Sequence, residues 1–545
     1  MIPVIHFVSI ANVITEHLTE NVRLCAVPLA VDIQITKQYN EKVKEPRKGD
    51  TRRGFCRRNR WVLLFLGIYL LLSVLSFDLR LYTGGDNATY IILAESLITG
   101  RGYSDIHLPE ESPHTKFPVG LPLLLSVPVF LFGYNLLVLK LAVFIMGIVG
   151  FFFVYKTGAL LCKNTVNLVM ILYVSIPLLY VYNHYVLSEI PYLCFSVAAV
   201  YLFMKARKNQ PVLYYLSFAL AVYSYLIRAV GIALVIAMIA VLLVRKEYQY
   251  VIILLFMFLA VFIPWQIRNA RVPQAWTYAN ELFLKNPYNA ALGKISVIDF
   301  IVRLWENFIL YTFTIIPQTM VPVIKSPVIL AISGFLFLMF MILGFAGRIR
   351  RFTVIEVYFV ISIAITLSWP KIWSSSRFLV PLMLFLIFYF SAGIFWAARR
   401  INSMHVGIVI LVTIAVLNSI GLFALGRQAL RYNATYLTGD KYAGYPPADR
   451  NYFEAIDYIE DNVPKNKVII ARKPQFVYLI SRCKSFKPST ADIDARRAAL
   501  LQSDYLIAGK LAKDYFGEIL NEERSNYDIV FLTEEPRYYV LKMKR

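Results

Sequence analysis

The segment Gly84-Gly85-Asp86-Asn87-Ala88-Thr89-Tyr90 places a carboxylate just after the first long apolar run of the chain. An ionised group is costly beside lipid, so a carboxylate at such a point usually faces a cavity or a substrate path. Asp86 also opens a long polar and semi-polar stretch that ends at His114-Thr115-Lys116-Phe117-Pro118-Val119-Gly120-Leu121-Pro122. Further titratable residues fall on what the charge pattern below assigns to the same side: Glu95 within that stretch, and His184, Glu189, Arg228, Arg268, Lys371 and Arg377 at the ends of later apolar runs. A positioned carboxylate suits proton transfer. Guanidinium and ammonium groups gathered at a bilayer surface suit an anionic lipid substrate. The layout is that of a membrane enzyme whose chemistry lies just outside the lipid.

The elements that position these residues are written in the hydropathy. The chain has 545 residues, 58% of them hydrophobic, and a mean hydropathy of +0.58. Its apolar runs are about 17–23 residues long, enough to cross a hydrocarbon core. They lack the alternating polarity of barrel strands. The expected fold is therefore an all-α polytopic membrane protein. The candidate spans are 61–77, 135–156, 165–182, 188–205, 211–227, 229–245, 249–266, 326–346, 354–370, 376–397 and 404–425. With Arg57–Arg60 in the cytoplasm, Lys156 and Lys163, Lys205–Lys208, Arg245-Lys246, Arg348–Arg351 and Arg399-Arg400 all fall on the inner side, as the positive-inside rule requires. This gives eleven spans and an extracytoplasmic C-terminus, with the first outer loop at 78–134. Two further apolar stretches, 119–133 and 300–318, would invert the pattern if they crossed. Pro122 and Pro128 in one, and Arg303 and Glu306 in the other, fit helices that lie at the interface or re-enter; thirteen spans result if both cross.

The net charge of +22 is explained mostly by those inner loops. No nucleic-acid recognition motif accompanies it, so a nucleic-acid partner is not expected. The five cysteines, Cys25, Cys56, Cys162, Cys194 and Cys483, have no CxxC or Cys/His spacing, which argues against a disulfide framework and a zinc site. Residues 1–60 are basic and only weakly apolar, and are expected to form a disordered cytoplasmic leader. Beyond 435 the long apolar runs stop. Strand-like runs at Lys467–Arg472, Phe476–Ser481, Asp504–Ala508, Asp528–Thr533 and Tyr538–Lys544 alternate with helical patterns at Asn451–Asn462, Ala491–Leu501 and Ala512–Glu522. The pattern predicts a small extracytoplasmic α/β domain over 436–545, without a Gly-rich phosphate loop or a nucleophile elbow.

The region from Trp61 to Phe423 resembles the GT-C fold glycosyltransferases, in particular the protein O-mannosyltransferase and aminoarabinose (lipid A) transferase-like group. The resemblance rests on an ordered set of motifs. Gly85-Asp86 with Tyr90, Ala94 and Gly100-Arg101-Gly102-Tyr103 looks like the first-loop motif. Phe117-Pro118-Val119-Gly120-Leu121-Pro122 resembles the proline motif that follows it. Ser188-Glu189-Ile190-Pro191-Tyr192 looks like the second acidic motif. Pro264-Trp265-Gln266-Ile267-Arg268-Asn269 and Arg377-Phe378-Leu379-Val380-Pro381-Leu382 resemble two later signatures.

The resemblance implies a polyprenyl-phosphate-linked sugar as donor, attacked at its anomeric carbon by an acceptor hydroxyl or phosphate on a lipid, polysaccharide or protein. Such a step needs a base for the acceptor proton, and Asp86 is the candidate. The leaving phosphate needs cations more than an acid; Lys116, Arg228, Arg268, Lys371 and Arg377, with Tyr90, are the candidates to bind it. Glu189 would orient the acceptor or hold a divalent cation. No other cofactor is implied. Five of these residues also have a plainer use. Asp86 and Glu189 stand where helix N-caps stand, Arg228 could serve only an ion pair, and Lys371 and Arg377 could snorkel to headgroups. A transporter or lipid flippase of envelope precursors is the alternative reading, and a scaffold in envelope assembly a third. The expected location is a prokaryotic plasma (inner) membrane, with the N-terminus cytoplasmic.

Overall fold

The computed structural model describes residues 51–273, 276–289, 292–488, 493–509 and 526–544. The fold is mostly helical. In chain order it comprises α1 (Thr51–Leu75), α2 (Asp86–Ile98), α3 (Gly120–Phe132), α4 (Leu136–Leu161), α5 (Val166–Val174), α6 (Pro177–Tyr182), α7 (Glu189–Lys205), α8 (Pro211–Ile227), α9 (Ile232–Val244), α10 (Tyr248–Ala270), α11 (Tyr278–Leu282), α12 (Val297–Leu310), α13 (Ile316–Met320), α14 (Pro327–Ala346), α15 (Val354–Ser368), α16 (Met383–Arg400) and α17 (Met404–Leu437). The C-terminal part adds α18 (Pro447–Asn462), β1 (Val468–Ile470), α19 (Pro474–Ser481), β2 (Lys484–Phe486), α20 (Ile493–Gln502), β3 (Tyr505–Gly509), β4 (Tyr527–Leu532) and β5 (Tyr538–Met543).

Among the described residues, five helical stretches are long and apolar enough to cross a membrane: Leu136–Leu161, Tyr248–Ala270, Pro327–Arg351, Ser376–Arg400 and Met404–Leu437. Shorter apolar helices lie at Arg60–Leu75, Pro211–Ile227, Ala229–Val244 and Val354–Ser368. Each coincides with an expected span. A helix apolar all round belongs in the middle of a bundle, and in the most apolar 18 residues of Ser376–Arg400, which include most of α16, 89% of the residues are buried. Its neighbour α14 turns most of its surface outward, with Val328, Phe335 and Ile342 exposed. The two cross at Gly344 and Gly393. A Cβ on Gly393 would meet the Phe340 carbonyl oxygen at 1.9 Å, and one on Gly344 the Tyr389 carbonyl oxygen at 1.9 Å. Small residues permit such close backbone approach between helices in lipid, where packing rather than hydrophobicity drives association.

Several expectations are corrected. The single span expected over 165–182 is two helices, because Pro177 opens α6 and supplies no N–H to continue α5. The strand expected at Phe476–Ser481 is α19: Pro474 sits in its first turn, where its fixed φ favours a helix. The strand that pairs there, β2, was not foreseen. Helix α1 begins inside the segment expected to be a leader; residues 1–50 lie outside the described residues, as does the helix expected at Ala512–Glu522.

The stretch 119–133 becomes α3, whose 13 residues span about 20 Å at 1.5 Å each, short of a hydrocarbon core. The stretch 300–318 becomes α12, a one-residue-per-turn wider π segment and α13. A Ser296/Asp299 capping box starts α12. Its apolar residues Val297, Ile298, Ile301 and Trp305 point outward, while Arg303 and Asn307 point inward to backbone carbonyls. That reversal suits a helix lying against lipid.

The C-terminal sheet has the order β2-β1-β3-β5-β4. Strand β1 runs parallel to β2 and β3, and β5 antiparallel to β3 and β4. This domain packs on α2, with Ala88 entering its core beside Tyr452, Phe453 and Phe476. It also grips the loop around α2. The Lys473 ammonium donates to the Thr83 carbonyl (2.8 Å), the Tyr445 hydroxyl to the Leu81 carbonyl (2.6 Å), and the Ser485 N–H to the His107 carbonyl (2.8 Å).

Candidate active site

Gly85 adopts φ 100°, a left-handed conformation that costs glycine little. It turns the chain into α2 and makes Asp86 the first helical residue. Neither Asp86 nor Glu189 acts as a helix cap. No side chain caps the N-terminus of α2 or α7. The Asp86 carboxylate instead accepts from Arg377 Nη1 at 2.9 Å. Arg377 Nε donates to Glu189 Oε1 at 2.6 Å. Arg228 Nη1 donates to the same Glu189 oxygen and to Ser188 Oγ, the latter at 3.0 Å. The Tyr90 hydroxyl donates to Ser188 Oγ at 3.2 Å. The result is a continuous chain, Asp86–Arg377–Glu189–Arg228, drawn from four separate parts of the sequence. Burial is graded along it: the Glu189 side chain is fully buried, and that of Asp86 is 34% exposed.

These groups edge a cavity of about 670 Å³. Asp86, Tyr90, Lys116, Arg228 and Arg377 line it; Glu189 lies behind them, holding both guanidiniums. One side is aromatic, with Tyr278, Tyr288, Trp369 and Trp373. Another is apolar, with Val230, Ile232, Ile365 and Leu382. Burial raises the Tyr82, Tyr90 and Tyr278 phenols above their ordinary range, so their hydroxyls stay neutral hydrogen-bonding groups.

The remaining expected residues lie elsewhere. Arg268 is not part of the lining; it donates to the Tyr103 (2.6 Å) and His114 (2.8 Å) carbonyls and so braces the first loop. Lys371 also stays outside the lining and pairs with Glu306 at 3.3 Å, both side chains near half exposed. Glu95 pairs with Arg482 at 3.3 Å. His184 is buried beside Phe77. His114 accepts from the Phe117 N–H at Nε2 (2.8 Å), which assigns the proton to Nδ1, 2.9 Å from both Asp105 oxygens. It therefore fixes the turn that presents Lys116. Among the described residues, no three of His, Cys, Asp and Glu come together as a metal site would require.

Sequence reasoning missed Glu281, which lines the cavity on α11 and pairs with Lys116 at 2.6 Å. It also missed the two tryptophans just past α15. A carboxylate close to Trp276 in a loop between apolar runs was the available signal.

The helices, the crossing of α14 and α16 and the small sheet define a GT-C-like multi-pass membrane fold with a C-terminal α/β domain. The same fold is seen in ArnT from Cupriavidus metallidurans, in crystal structures of its apo state and of its complex with undecaprenyl phosphate. Each superposes with a TM-score of 0.53 and 14% identity, over 89% of this chain and 98% of that one. No protein-family model and no curated protein sequence matches the chain.

Proposed function

We propose that this protein is an integral membrane glycosyltransferase that moves a sugar from a polyprenyl-phosphate carrier to an acceptor hydroxyl or phosphate. The observation that supports it most is that the Asp86 carboxylate, the Arg228 and Arg377 guanidiniums and an apolar wall share one cavity. A polyprenyl-phosphate sugar has matching parts: an apolar tail, an anionic phosphate and a polar head. ArnT, which shares the fold, binds undecaprenyl phosphate.

In this reading, with a hydroxyl acceptor, the acceptor oxygen attacks the anomeric carbon and gives its proton to Asp86; an ionised phosphate acceptor has no proton to give. The bond from that carbon to the phosphate oxygen breaks, and polyprenyl phosphate leaves with the electron pair. Arg377 and Arg228 offset the charge that builds on the leaving phosphate; preorganised donors in a site of low dielectric are the largest source of such stabilisation. Glu189 holds the two guanidiniums apart and oriented. The basic clusters at Lys205–Lys208 and Arg399-Arg400 argue by the positive-inside rule for a cytoplasmic N-terminus, with the cavity and the α/β domain on the outer face of a plasma membrane.

The test uses purified protein in detergent and a panel of polyprenyl-phosphate sugars, with release of polyprenyl phosphate followed for wild type and Asp86→Asn. Release by wild type and its loss in the variant supports the assignment. No release from any donor, with crude acceptor and divalent metal supplied, points instead to a transporter or lipid flippase.

A further inference from the structure

Glu281 has a geometry that its structural role does not use up. Its side chain is only 2% exposed, yet it reaches the cavity. Oε1 accepts from the Trp276 indole N–H at 2.7 Å and from the Lys116 ammonium at 2.6 Å. Oε2 is buried and has no hydrogen-bond partner among the described residues. A buried acceptor left open costs free energy, so it calls for an occupant. Glu189 also has an open oxygen, but that residue is not part of the cavity lining. Of these two carboxylates, Glu281 is the one whose side chain lines the cavity.

Its surroundings define the occupant. Tyr278, Trp369, Trp373 and Tyr288 form a run of rings with successive centroids 5.6, 6.0 and 5.6 Å apart. The Lys116 ammonium lies 5.2 Å from the Trp373 ring centre. Aromatic faces receive the C–H faces of a pyranose or furanose ring, while a carboxylate oxygen accepts from its hydroxyl or amino groups and an ammonium donates to its oxygens. This corner also carries its own countercharge, because Lys116 offsets Glu281. It therefore does not need the donor phosphate, which has Arg228 and Arg377.

We infer that Glu281 and Lys116 form the subsite for the transferred sugar, with a sugar O–H or N–H donating to Glu281 Oε2, and that Glu281 is a specificity-determining residue. This rests on the glycosyltransferase reading above. The test separates the two. Tryptophan fluorescence, reported by Trp369 and Trp373, is titrated with undecaprenyl phosphate and with the same lipid phosphate carrying a hexose, a pentose or an amino sugar. The measured quantity is how much more tightly the best sugar-bearing lipid binds than the bare one. Glu281→Gln is expected to lose about 10- to 100-fold of that preference, the worth of one hydrogen bond to a charged group, while binding bare undecaprenyl phosphate like wild type. Glu281→Asp, which keeps the charge but withdraws the oxygens, should act in the same direction and serves if Glu281→Gln fails to fold. An unchanged preference in the variants, or equal weakening for both lipids, overturns the subsite. A wild type with no preference for any sugar overturns it as well. A wild type that binds neither kind of lipid overturns the glycosyltransferase reading itself.

Discussion

Glu189 is the test of how the charged chain is built. Its side chain is fully buried, and one of its oxygens serves both Arg228 and Arg377. Glu189→Gln keeps the shape but leaves the Arg228 side chain, 13% exposed, without its countercharge. Removing one member of a buried ion pair costs about 3–5 kcal/mol. Unfolding entropy near 60 °C is about 2.1 cal/mol/K per residue; over 545 residues that is roughly 1.1 kcal/mol/K, so the loss corresponds to a Tm drop of about 3–4 °C. Asp86→Asn is the contrast. The Asp86 side chain is 34% exposed, and Arg377 keeps Glu189 when Asp86 is neutralised. A half-buried pair whose cation keeps a second carboxylate is worth far less than a buried pair broken outright, about 1 kcal/mol by comparison with exposed pairs, hence about 1 °C. Activity should rank the other way, with Asp86→Asn slowing polyprenyl phosphate release by about 10²- to 10⁴-fold through loss of the base. Differential scanning fluorimetry in detergent and the release assay read both quantities on the same preparations. An Asp86→Asn variant that loses as much Tm as Glu189→Gln, or a Glu189→Gln variant as stable as wild type, would refute this division of labour.

Three further outcomes are expected. His107 is buried at 3%, and burial pulls its imidazole down to about 4 against the opposing Asp105 carboxylate 3.9 Å away. The unfolded chain, titrating near 6.5, then binds more protons below that pH, so stability is lost as pH falls from about 6.5 towards 4; His107→Asn should flatten the Tm-against-pH curve between pH 7 and 5, and parallel curves would contradict it. Lys371→Ala should leave release rates within about twofold, since an exposed pair contributes little, whereas Arg377→Lys should raise the KM for donor at least tenfold, because an ammonium lacks the fork that reaches two carboxylates; equal effects in donor titrations would place the phosphate elsewhere. Gly393→Leu would drive a Cβ into the Phe340 carbonyl, and the expected result is aggregated protein on size-exclusion chromatography rather than a mild loss of activity.

Most of the apolar helices were legible because each is a nearly unbroken apolar run, a signal that needs no knowledge of the partner helix; 165–182, broken at Pro177, was not. What sequence failed to give depends on local stereochemistry or on distant partners. Val477, Tyr478 and Ile480 read as a strand by residue type, yet Pro474 starts a helix there and Arg482, at φ 66°, ends it. The motif positions of Asp86, Tyr90, Glu189, Arg228 and Arg377 were readable, but whether the two acids cap helices or face a cavity was not. The answer lies in Arg377, 291 residues from Asp86 in sequence. Arg268 and Lys371 show the reverse: both stand at the expected ends of apolar runs, but one turns to backbone carbonyls and the other to Glu306. Charge at a membrane boundary marks a neighbourhood, and only packing decides which member of it reaches the cavity.

The α/β domain contributes no charged residue to the Asp86–Arg377–Glu189–Arg228 chain, yet it helps set where Asp86 stands. Upstream of Gly85 the chain is not helical, so its path depends on outside partners. Asn433 of α17 accepts from the Leu79 N–H and donates to the Phe77 carbonyl. The Arg80 guanidinium lies 4.0 Å from the Tyr432 ring centre and donates to the Ala443 carbonyl at the entry to the domain. Buried Lys140 donates to the Asp78 and Arg80 carbonyls from the bundle side. Tyr445 and Lys473 then take the Leu81 and Thr83 carbonyls, and Ala88 fixes the first turn of α2 in the domain core. Asp86 is thus held between bundle and domain by backbone contacts on both sides. A proton acceptor must stay within hydrogen-bond reach of its donor to be useful, and a loop beside a cavity this large would not hold that position unaided. On the proposed function, these contacts give the domain a part in positioning the base without assigning it any chemistry of its own.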